Sequence, residues 1–543
     1  MRRGFSIFLV LVLLFGLFAA PATAVSGSEL ETVIAETVAF LLRTVPSPDV
    51  GAVGGEWLVL GIARSGQDVP DAFFEAYHRR VEQYVRERSG VLDERRFSEY
   101  SRVILGLTAA GFDPRDVAGF DLTAPLGDFE RTIWQGINGP IFALLALDSL
   151  GYSIPTNQSA QTQATRGLYI TEILRQQLPD GGWNLVGPTG NADITGMALQ
   201  ALSNYQHISE VRAATERALS FLSGIQDASG GFSGGFSVGA STVESTVQVL
   251  VALSALGIPV DDPRFVKNGN TLLDNLLSFR NPDGGFRHSH AQPATNLMST
   301  EQALYGLVAA QRTTEGRNGL YRMSDAVRRG PFAPFETVGL AGRHDDIRRM
   351  EVLFPGRTFP DVETHINRPA IEALASRGII NGRSETVFAP NETMTRAEFA
   401  AIITRALGLP MRTTSVFDDV PPNLWFTDPV GTAFYYEIVN GTSATSFHPH
   451  GTITRQEAAV MVARAARLAG MDITTLSDAE IQSILAQFDD THAAAAWARK
   501  ELAFLFHAGI LDDSVSHIQP TAAILRGEIA EMLYRLLDRA ALL

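Results

Sequence analysis

The chain contains no cysteine. This absence excludes disulfide bonds, thiolate zinc sites, cysteine nucleophiles and thioester chemistry. With a net charge of −15, the chain has no basic stripe that would displace counterions from nucleic acid, so nucleic acid is not expected as a partner. Without disulfides, 543 residues must be held together by apolar cores, and this length predicts two or more domains.

Long apolar runs are absent beyond the N-terminus, so no membrane span is expected in the mature protein. Arg2 and Arg3 precede an apolar run from Phe5 to Phe18, and Ala22-Thr23-Ala24 supplies small residues for cleavage. This pattern predicts a signal peptide over residues 1–24 and a mature chain that begins near Val25. The protein is therefore expected to be exported.

The middle of the chain repeats a Gly-Gly-aromatic motif, and an apolar helical run follows each copy. The copies are Asp180-Gly181-Gly182-Trp183, Ser229-Gly230-Gly231-Phe232 and Asp283-Gly284-Gly285-Phe286. The pattern predicts a stack of helical hairpins over residues 27–312, with Gly at a turn of positive φ. The aromatic side chains either pack between layers or line a ligand pocket.

These motifs resemble the Gln-x-x-Asp-Gly-Gly-Trp repeats of the α/α-toroid family, which contains terpene cyclases and protein prenyltransferase β subunits. The resemblance implies a barrel of about six pairs of inner and outer helices. Cyclases of the family use an Asp-x-Asp-Asp motif, and prenyltransferases hold zinc partly through a Cys; this chain has neither. Neither activity is expected, and no metal or cofactor is predicted.

Two acidic residues are candidates for a toroid cavity. Asp193 and Glu244 occupy equivalent positions before successive inner helices. They either form a carboxylate pair for acid–base chemistry or cation binding, or complement the dipoles of the helices that they begin. His288 and His290 flank Ser289, and this pair is either a set of metal ligands or simply solvated.

Residues 313–357 are rich in Arg, Gly, Pro and acidic residues and show no sustained apolar period. We interpret them as a linker, with an exposed charged stretch at 343–349.

The last third of the chain carries one short device three times: Thr395-Arg396-Ala397-Glu398, Thr454-Arg455-Gln456-Glu457 and Leu525-Arg526-Gly527-Glu528. Each lies 35 or 36 residues after the Asp of a Phe-x-Asp segment. A repeat with a preserved internal distance is a structural unit, and we predict helical units at 359–410, 417–470 and 488–540.

Helix capping explains only part of this device. Thr at the N-cap and Glu three residues later form a capping box. The Arg at the first helical position is expected to be exposed, and the helix dipole disfavours a cation there. An Arg at this position in all three copies indicates an anionic partner held by the planar guanidinium.

Phe-x-Asp-Val, Gly-Ile-Ile-Asn-Gly, Phe-x-Pro and Thr-Arg-x-Glu together resemble the S-layer homology (SLH) domain, usually found as three copies. The resemblance implies a three-pronged module that anchors proteins non-covalently to a secondary cell-wall polysaccharide, in many members a pyruvylated one. It implies that Arg396, Arg455 and Arg526 grip the ketal carboxylate, and that Trp425 and Trp497 line the grooves.

Departures from the pattern predict unequal grooves. Unit one has Ile366 where Trp is usual, and unit three has Leu525 at the cap and Asp513 in place of Gly. Unit two is expected to be the most intact. The whole sequence predicts an all-α, exported cell-surface protein that displays a non-catalytic toroid for binding or scaffolding; the alternative is an extracellular toroid enzyme acting on a glycan or lipid.

Overall fold

The computed structural model describes residues 27–234, 240–333, 339–412, 416–422, 424–472 and 476–543. The predicted signal peptide at 1–24 lies outside these residues. The first two-thirds of the chain form a toroid of twelve helices. These are α1 (Gly27–Thr44), α2 (Glu56–Arg64), α3 (Asp71–Glu87), α4 (Ser98–Ala110), α5 (Phe129–Ile133), α6 (Asn138–Asp148), α7 (Arg166–Arg175), α8 (Ala192–Leu202), α9 (Ser209–Ile225), α10 (Val243–Ala255), α11 (Leu272–Leu277) and α12 (Leu297–Thr314).

The even-numbered helices form a closed inner ring, because α12 packs against both α10 and α2. They are apolar around most of their circumference, which is the pattern of fully buried helices. The outer helix α3 instead buries one face through Phe73, Phe74, Tyr77, Val81 and Val85. The predicted architecture of about six helical hairpins is confirmed.

Small residues allow the helices of the toroid to approach closely. A Cβ atom on Gly106 of α4 would lie 2.5 Å from the Tyr77 hydroxyl, and one on Gly196 of α8 would lie 2.7 Å from the Gln248 carbonyl oxygen. Neither position has room for a side chain, so these glycines set the spacing between helices.

The Gly-Gly-aromatic turns have the predicted backbone, since Gly181, Gly230 and Gly284 all have positive φ. The three aromatic rings that follow are completely buried (Trp183, Phe232 and Phe286). Their amides donate to the hydroxyls of Thr195, Thr246 and Thr300, each in the next inner helix. These rings therefore pack between layers and line no ligand pocket.

One feature departs from an all-α structure. A short antiparallel hairpin, β1 (Arg287–Ser289) and β2 (Gln292–Thr295), stands between α11 and α12. Residues 315–359 contain no helix among those described, yet this segment is anchored to both domains: Met323 packs in the toroid core and Ile347 in the core of the last third.

The last third, which we call the triple module, contains seven α-helices among its described residues. These are α13 (Arg368–Ala375), α14 (Arg396–Ala406), α15 (Thr427–Tyr435), α16 (Arg455–Leu468), α17 (Asp478–Leu485), α18 (Arg499–His507) and α19 (Arg526–Arg539), with short 3₁₀ turns at Pro360–Val362, Thr491–Ala493 and Ala496–Ala498. The second helix of each unit packs on the first helix of another: α14 on α15, α16 on α18, and α19 on α13. The three units thus close into a pseudo-threefold ring.

Candidate functional site

The Asp of each Phe-x-Asp segment holds the turn of its own unit. The Asp361 carboxylate accepts the amides of Phe388 and Ala389, at 2.9 and 2.7 Å. Asp419 and Asp490 make the same bonds in units two and three. In each turn, the second of the two residues whose amides donate to the Asp has positive φ; these residues are Ala389, His448 and Gln519. The carboxylate therefore stabilises a backbone conformation that is otherwise unfavourable.

The capping boxes form as predicted in units one and two, at Thr395 with Glu398 and at Thr454 with Glu457. In unit three the Glu528 carboxylate still accepts the Leu525 amide at 2.9 Å. Leu525 has no side-chain acceptor, so half of the box is missing there.

The Arg of each device inserts into the turn of a different unit. Arg396 of unit one donates from Nε to the Phe447 carbonyl and from Nη2 to the Asn440 carbonyl of unit two, both at 2.9 Å. Arg526 of unit three makes the equivalent bonds to Phe388 and Asn381 of unit one, also at 2.9 Å. The guanidinium carbons lie 4.8 and 4.7 Å from the centres of the Phe447 and Phe388 rings, within cation–π range.

Arg455 completes the cycle by reaching into unit three, but it is held differently. Its guanidinium pairs with the Glu528 carboxylate and donates to Gln519 Oε1 at 2.6 Å. Unit three has Ile518 where the other units have Phe, so the ring that lies beneath Arg396 and Arg526 is replaced by an aliphatic side chain at this junction. With these departures in unit three, Arg455 is held by the side chains of Glu528 and Gln519, whereas backbone carbonyl groups hold Arg396 and Arg526.

This geometry corrects one expectation from the sequence. Arg396 and Arg526 are not exposed at the first turns of their helices; their residues are only 5% and 4% exposed. Burial and the nearby charge of Arg383 together lower the pKa of Arg526 to about 10. The physical reason is that each of these helices begins against the turn of a neighbouring unit. The backbone carbonyl groups of that turn accept hydrogen bonds from the guanidinium and so stabilise a charge that the helix dipole disfavours. The role of these arginines in ligand binding stays a prediction.

The predicted aromatic positions lie on the surface. Trp425 and Trp497 are 53% and 56% exposed, and Ile366 at the equivalent place in unit one is 88% exposed. The loop before Trp497 contacts the start of α16, where the Ala495 amide donates to Gln456 Oε1 at 2.9 Å. The groove of unit three therefore combines its own aromatic position with the helix that carries Arg455 of unit two, and the repeat predicts the same arrangement in the other two grooves.

In the toroid the structure brings Asp193 and Glu244 together at the N-terminal ends of α8 and α10. Glu244 accepts the Ser299 hydroxyl at 2.5 Å and pairs with His288 Nδ1 at 2.8 Å. The pKa of Asp193 is raised, mainly by burial and also by the Glu244 charge, although a hydrogen bond with Ser245 opposes this shift. This pairing of Glu244 with His288 was not predicted; the candidate His pair does not act together, because the His290 ring instead stacks on Phe279 at 4.5 Å.

The centre of the ring is crossed by side chains from several inner helices. Trp57 of α2 lies 5.9 Å from Phe142 of α6 and 6.2 Å from Tyr305 of α12, measured between ring centres. Gln248 of α10 donates to the Tyr305 hydroxyl at 2.7 Å, and Gln200 of α8 donates to the Gln248 carbonyl at 2.8 Å. Side chains of the inner helices therefore meet at this level of the ring. Within the described ranges, no cluster of three or more His, Asp or Glu side chains is arranged to hold a metal ion.

Comparison with known families identifies both domains. The family model of the S-layer homology domain matches residues 358–400 and 416–459. The chain carries SLH domains. SLH domains in general bind cell-wall polysaccharide, and their presence identifies a secreted protein of the cell-wall surface. The model of the squalene-hopene cyclase C-terminal domain matches residues 169–313 of the toroid.

Curated relatives share only part of their length with this chain. An amylopullulanase of Thermoanaerobacterium thermosulfurigenes is 31% identical over 186 residues, which is 34% of this chain and 10% of that protein. The surface-layer 125 kDa protein of Lysinibacillus sphaericus is 29% identical over 175 residues, 32% of this chain and 14% of that protein. The chain thus spans about a tenth to a seventh of these two proteins.

Solved structures resemble the toroid. The type II terpene cyclase MstE from Scytonema has 14% identity and a TM-score of 0.36, covering 53% of this chain and 99% of that chain. Candida albicans protein geranylgeranyltransferase-I has 12% identity and a TM-score of 0.38, covering 53% and 95%. No helix in the described ranges is both long and apolar enough to cross a bilayer.

Proposed function

We propose that the triple module, which we call the SLH module from here on, anchors this protein to an acidic secondary cell-wall polysaccharide. The module thereby displays a non-catalytic toroid for binding or scaffolding. The observation that carries the proposal is the cyclic insertion of Arg396, Arg455 and Arg526 at the three junctions between units. Exposed Trp425 and Trp497 lie in two of these grooves, where they offer flat apolar faces for sugar rings.

Arg455 is the strongest candidate for contact with the polymer. Its side chain is 24% exposed, compared with 6% for Arg396. Its present partner is a carboxylate, so its guanidinium is already oriented for the kind of group that a pyruvyl ketal presents. Arg396 and Arg526 support the same grooves by fixing the turns of units two and one.

Sedimentation of the mature chain, residues 25–543, with purified cell-wall sacculi tests the proposal. We expect R455K to weaken binding about tenfold, since a Lys offers a point charge in place of a planar fork. The double change Trp425→Ala and Trp497→Ala is expected to weaken binding at least as much with an unchanged Tm.

Two residues outside the proposed grooves provide matched controls. Arg535 forms a half-buried pair with Glu531 on α19, and Trp134 is 60% exposed on the toroid. Their replacement by Ala is expected to leave sedimentation unchanged. Equal sedimentation of R455K, the double Trp variant and the unaltered chain would rule out the groove assignment.

A second candidate function, a toroid enzyme acting on a glycan, is favoured by the 2.8 Å contact between Glu244 and His288. A carboxylate and an imidazole in this arrangement can exchange a proton during acid–base catalysis. Incubation of the chain with wall polysaccharide would then release new reducing ends, and E244Q and H288N would abolish this release. No release by the unaltered chain would exclude this candidate.

A further inference from the structure

A large cleft separates the toroid from the SLH module. Its volume is about 1390 Å³, and it lies at the C-terminal ends of α6, α8, α10 and α12. Unit one docks beside it, where the Asn381 side-chain amide donates to the His207 carbonyl of the toroid. The cleft is thus bounded by both domains and is continuous with the turn of unit one.

The charge of the cleft is opposite to that of the whole chain. Eight arginines line it, compared with five carboxylates, although the net charge of the protein is −15. Several of these arginines are neutralised locally; Arg264 pairs with Asp262, and Arg383 pairs with Glu392 and Glu398. The excess positive charge comes from the arginines that have no such partner.

Arg212 on α9 and Arg405 on α14 line the cleft from the two domains and act on each other as like charges. In the described part of the chain, no carboxylate lies within 4.0 Å of either guanidinium. Burial and, to a smaller extent, the positive charge of Arg212 together lower the pKa of Arg405 to about 10. Arg405 Nε donates to the Ala401 carbonyl of its own helix, so this Arg does not hold the two domains together. Two unneutralised cations in one cleft repel each other unless an anion lies between them.

The same cleft contains the features of a sugar-binding surface. Trp425 and Tyr435, which are 53% and 55% exposed, both line it, and so does Arg526 from the groove of unit one. Unit one has Ile366 in place of a groove Trp, whereas Trp425 of unit two lines the cleft. Exposed aromatic rings beside guanidinium groups suit a polymer of sugar rings that carries acidic substituents.

We infer that the cleft is a second binding surface for the acidic wall polysaccharide, in which Arg212 and Arg405 together bind an acidic substituent of the strand held by the SLH module. This inference rests on the proposed anchoring function. It gives the toroid a direct part in anchoring, since the strand runs over the C-terminal ends of its inner helices.

The test measures binding of the mature chain to purified secondary cell-wall polysaccharide by isothermal titration calorimetry. We expect R212Q and R405Q each to weaken binding about tenfold, and each to reduce its dependence on salt concentration. R217Q is the control, because Arg217 lies on the same helix but contacts Gln177 away from the cleft. Removal of the acidic substituents from the polymer is expected to abolish the difference between these variants and the unaltered chain.

The outcomes separate the two proposals. If the unaltered chain does not bind the polymer, the anchoring function fails. If the chain binds and R212Q binds with the same affinity and salt dependence, the cleft inference alone is overturned. Arg212 is exposed, and its side chain forms no hydrogen bond or ion pair with the residues that the structure describes, so R212Q keeps the test valid even if R405Q unfolds.

Discussion

Arg526 Nε donates to the carbonyl oxygen of Phe388 at 2.9 Å, and the two residues are 138 positions apart in the chain. This bond joins the last unit of the SLH module to the first. It closes a ring that the bonds of Arg396 to unit two and of Arg455 to unit three leave open. The arginines therefore stabilise the module as a single body whose three grooves are linked.

Replacement of Arg526 is expected to destabilise the whole SLH module. R526A removes two charge-assisted hydrogen bonds from a nearly buried side chain, at a cost of about 2 to 4 kcal/mol in the free energy of unfolding. R526K keeps the charge but cannot supply both planar donors, so it recovers only part of this loss. Calorimetry of the mature chain would show a lower Tm for the SLH transition.

The control for this prediction is R535A, on the same helix. Arg535 forms a partly exposed i,i+4 pair with Glu531, and ion pairs at a helix surface contribute about 0 to 1 kcal/mol. A Tm of R526A that matches that of R535A would contradict a role for Arg526 in closing the ring.

Local sequence rules predicted the elements of this module but not their connections. Thr395 and Glu398 form the predicted capping box, because a cap depends on residues within one turn. The same local reasoning placed Arg396 on the surface, and this was wrong. A sequence repeat does not show which other unit the side chains of each copy contact, because that contact depends on how the three units pack into a ring.

The toroid shows the same limit. Its glycine turns and helical pairs followed from the repeated motif, and Asp193 and Glu244 lie together as their equivalent positions suggest. The contact of Glu244 with His288 depends on the β1–β2 hairpin, which the helical periodicity did not predict. The cleft arises from docking between domains, so no single motif of the sequence indicates it.

Asp419 is expected to make the SLH module sensitive to acid. Burial alone would raise the pKa of this carboxyl, but hydrogen bonds from the Phe447 amide, the Ser446 hydroxyl and the His448 amide outweigh burial and hold the pKa below its usual value. Because the folded-state pKa is lowered, the stabilisation is present above the unfolded pKa of about 4 and is lost as the pH falls through the folded value.

D419N tests this dependence. We expect its Tm to lie below that of the unaltered chain at pH 7, and the two values to converge as the pH falls below about 4. D418N, which changes the exposed neighbour, is expected to follow the unaltered chain throughout. A constant difference between D419N and the unaltered chain from pH 7 to 3 would contradict the assignment.

Glu301 is expected to give the toroid the opposite pH dependence. Burial raises the pKa of this carboxyl to about 7, although the Gly54 amide, which donates to it at 2.7 Å, lowers it. A raised folded-state pKa gives stabilisation that is complete below the unfolded value of about 4 and is lost as the pH rises through 7. The loss is on the order of 3 kcal/mol, from 1.36 kcal/mol per pKa unit.

E301Q removes this titration while keeping an acceptor for Gly54. Its free energy of unfolding is expected to change less than that of the unaltered chain between pH 5 and 8, so that the variant becomes relatively more stable as the pH rises. E315Q, at the exposed end of the same helix, is the control. Parallel pH profiles for E301Q and the unaltered chain would contradict the prediction.

Trp183 is expected to be the most costly aromatic residue to remove from the toroid. Its ring is fully buried, its indole Nε1 donates to the Ile173 carbonyl at 2.7 Å, and its amide donates to the Thr195 hydroxyl at 2.9 Å. W183A leaves a cavity between α7 and α8 and is expected to lower the free energy of unfolding of the toroid by about 3 to 5 kcal/mol. W134A, which removes a mainly exposed ring, is expected to change it by less than about 0.5 kcal/mol.

W183F separates the two contributions of this side chain. It retains most of the apolar volume but leaves the Ile173 carbonyl without its donor, which costs about 1 to 3 kcal/mol in a buried site. We therefore expect W183F to fall between W183A and the unaltered chain in a denaturant titration. If W183F is as stable as the unaltered chain, the indole hydrogen bond contributes nothing, and Trp183 acts only as the apolar wedge that Phe232 and Phe286 provide in the other two turns.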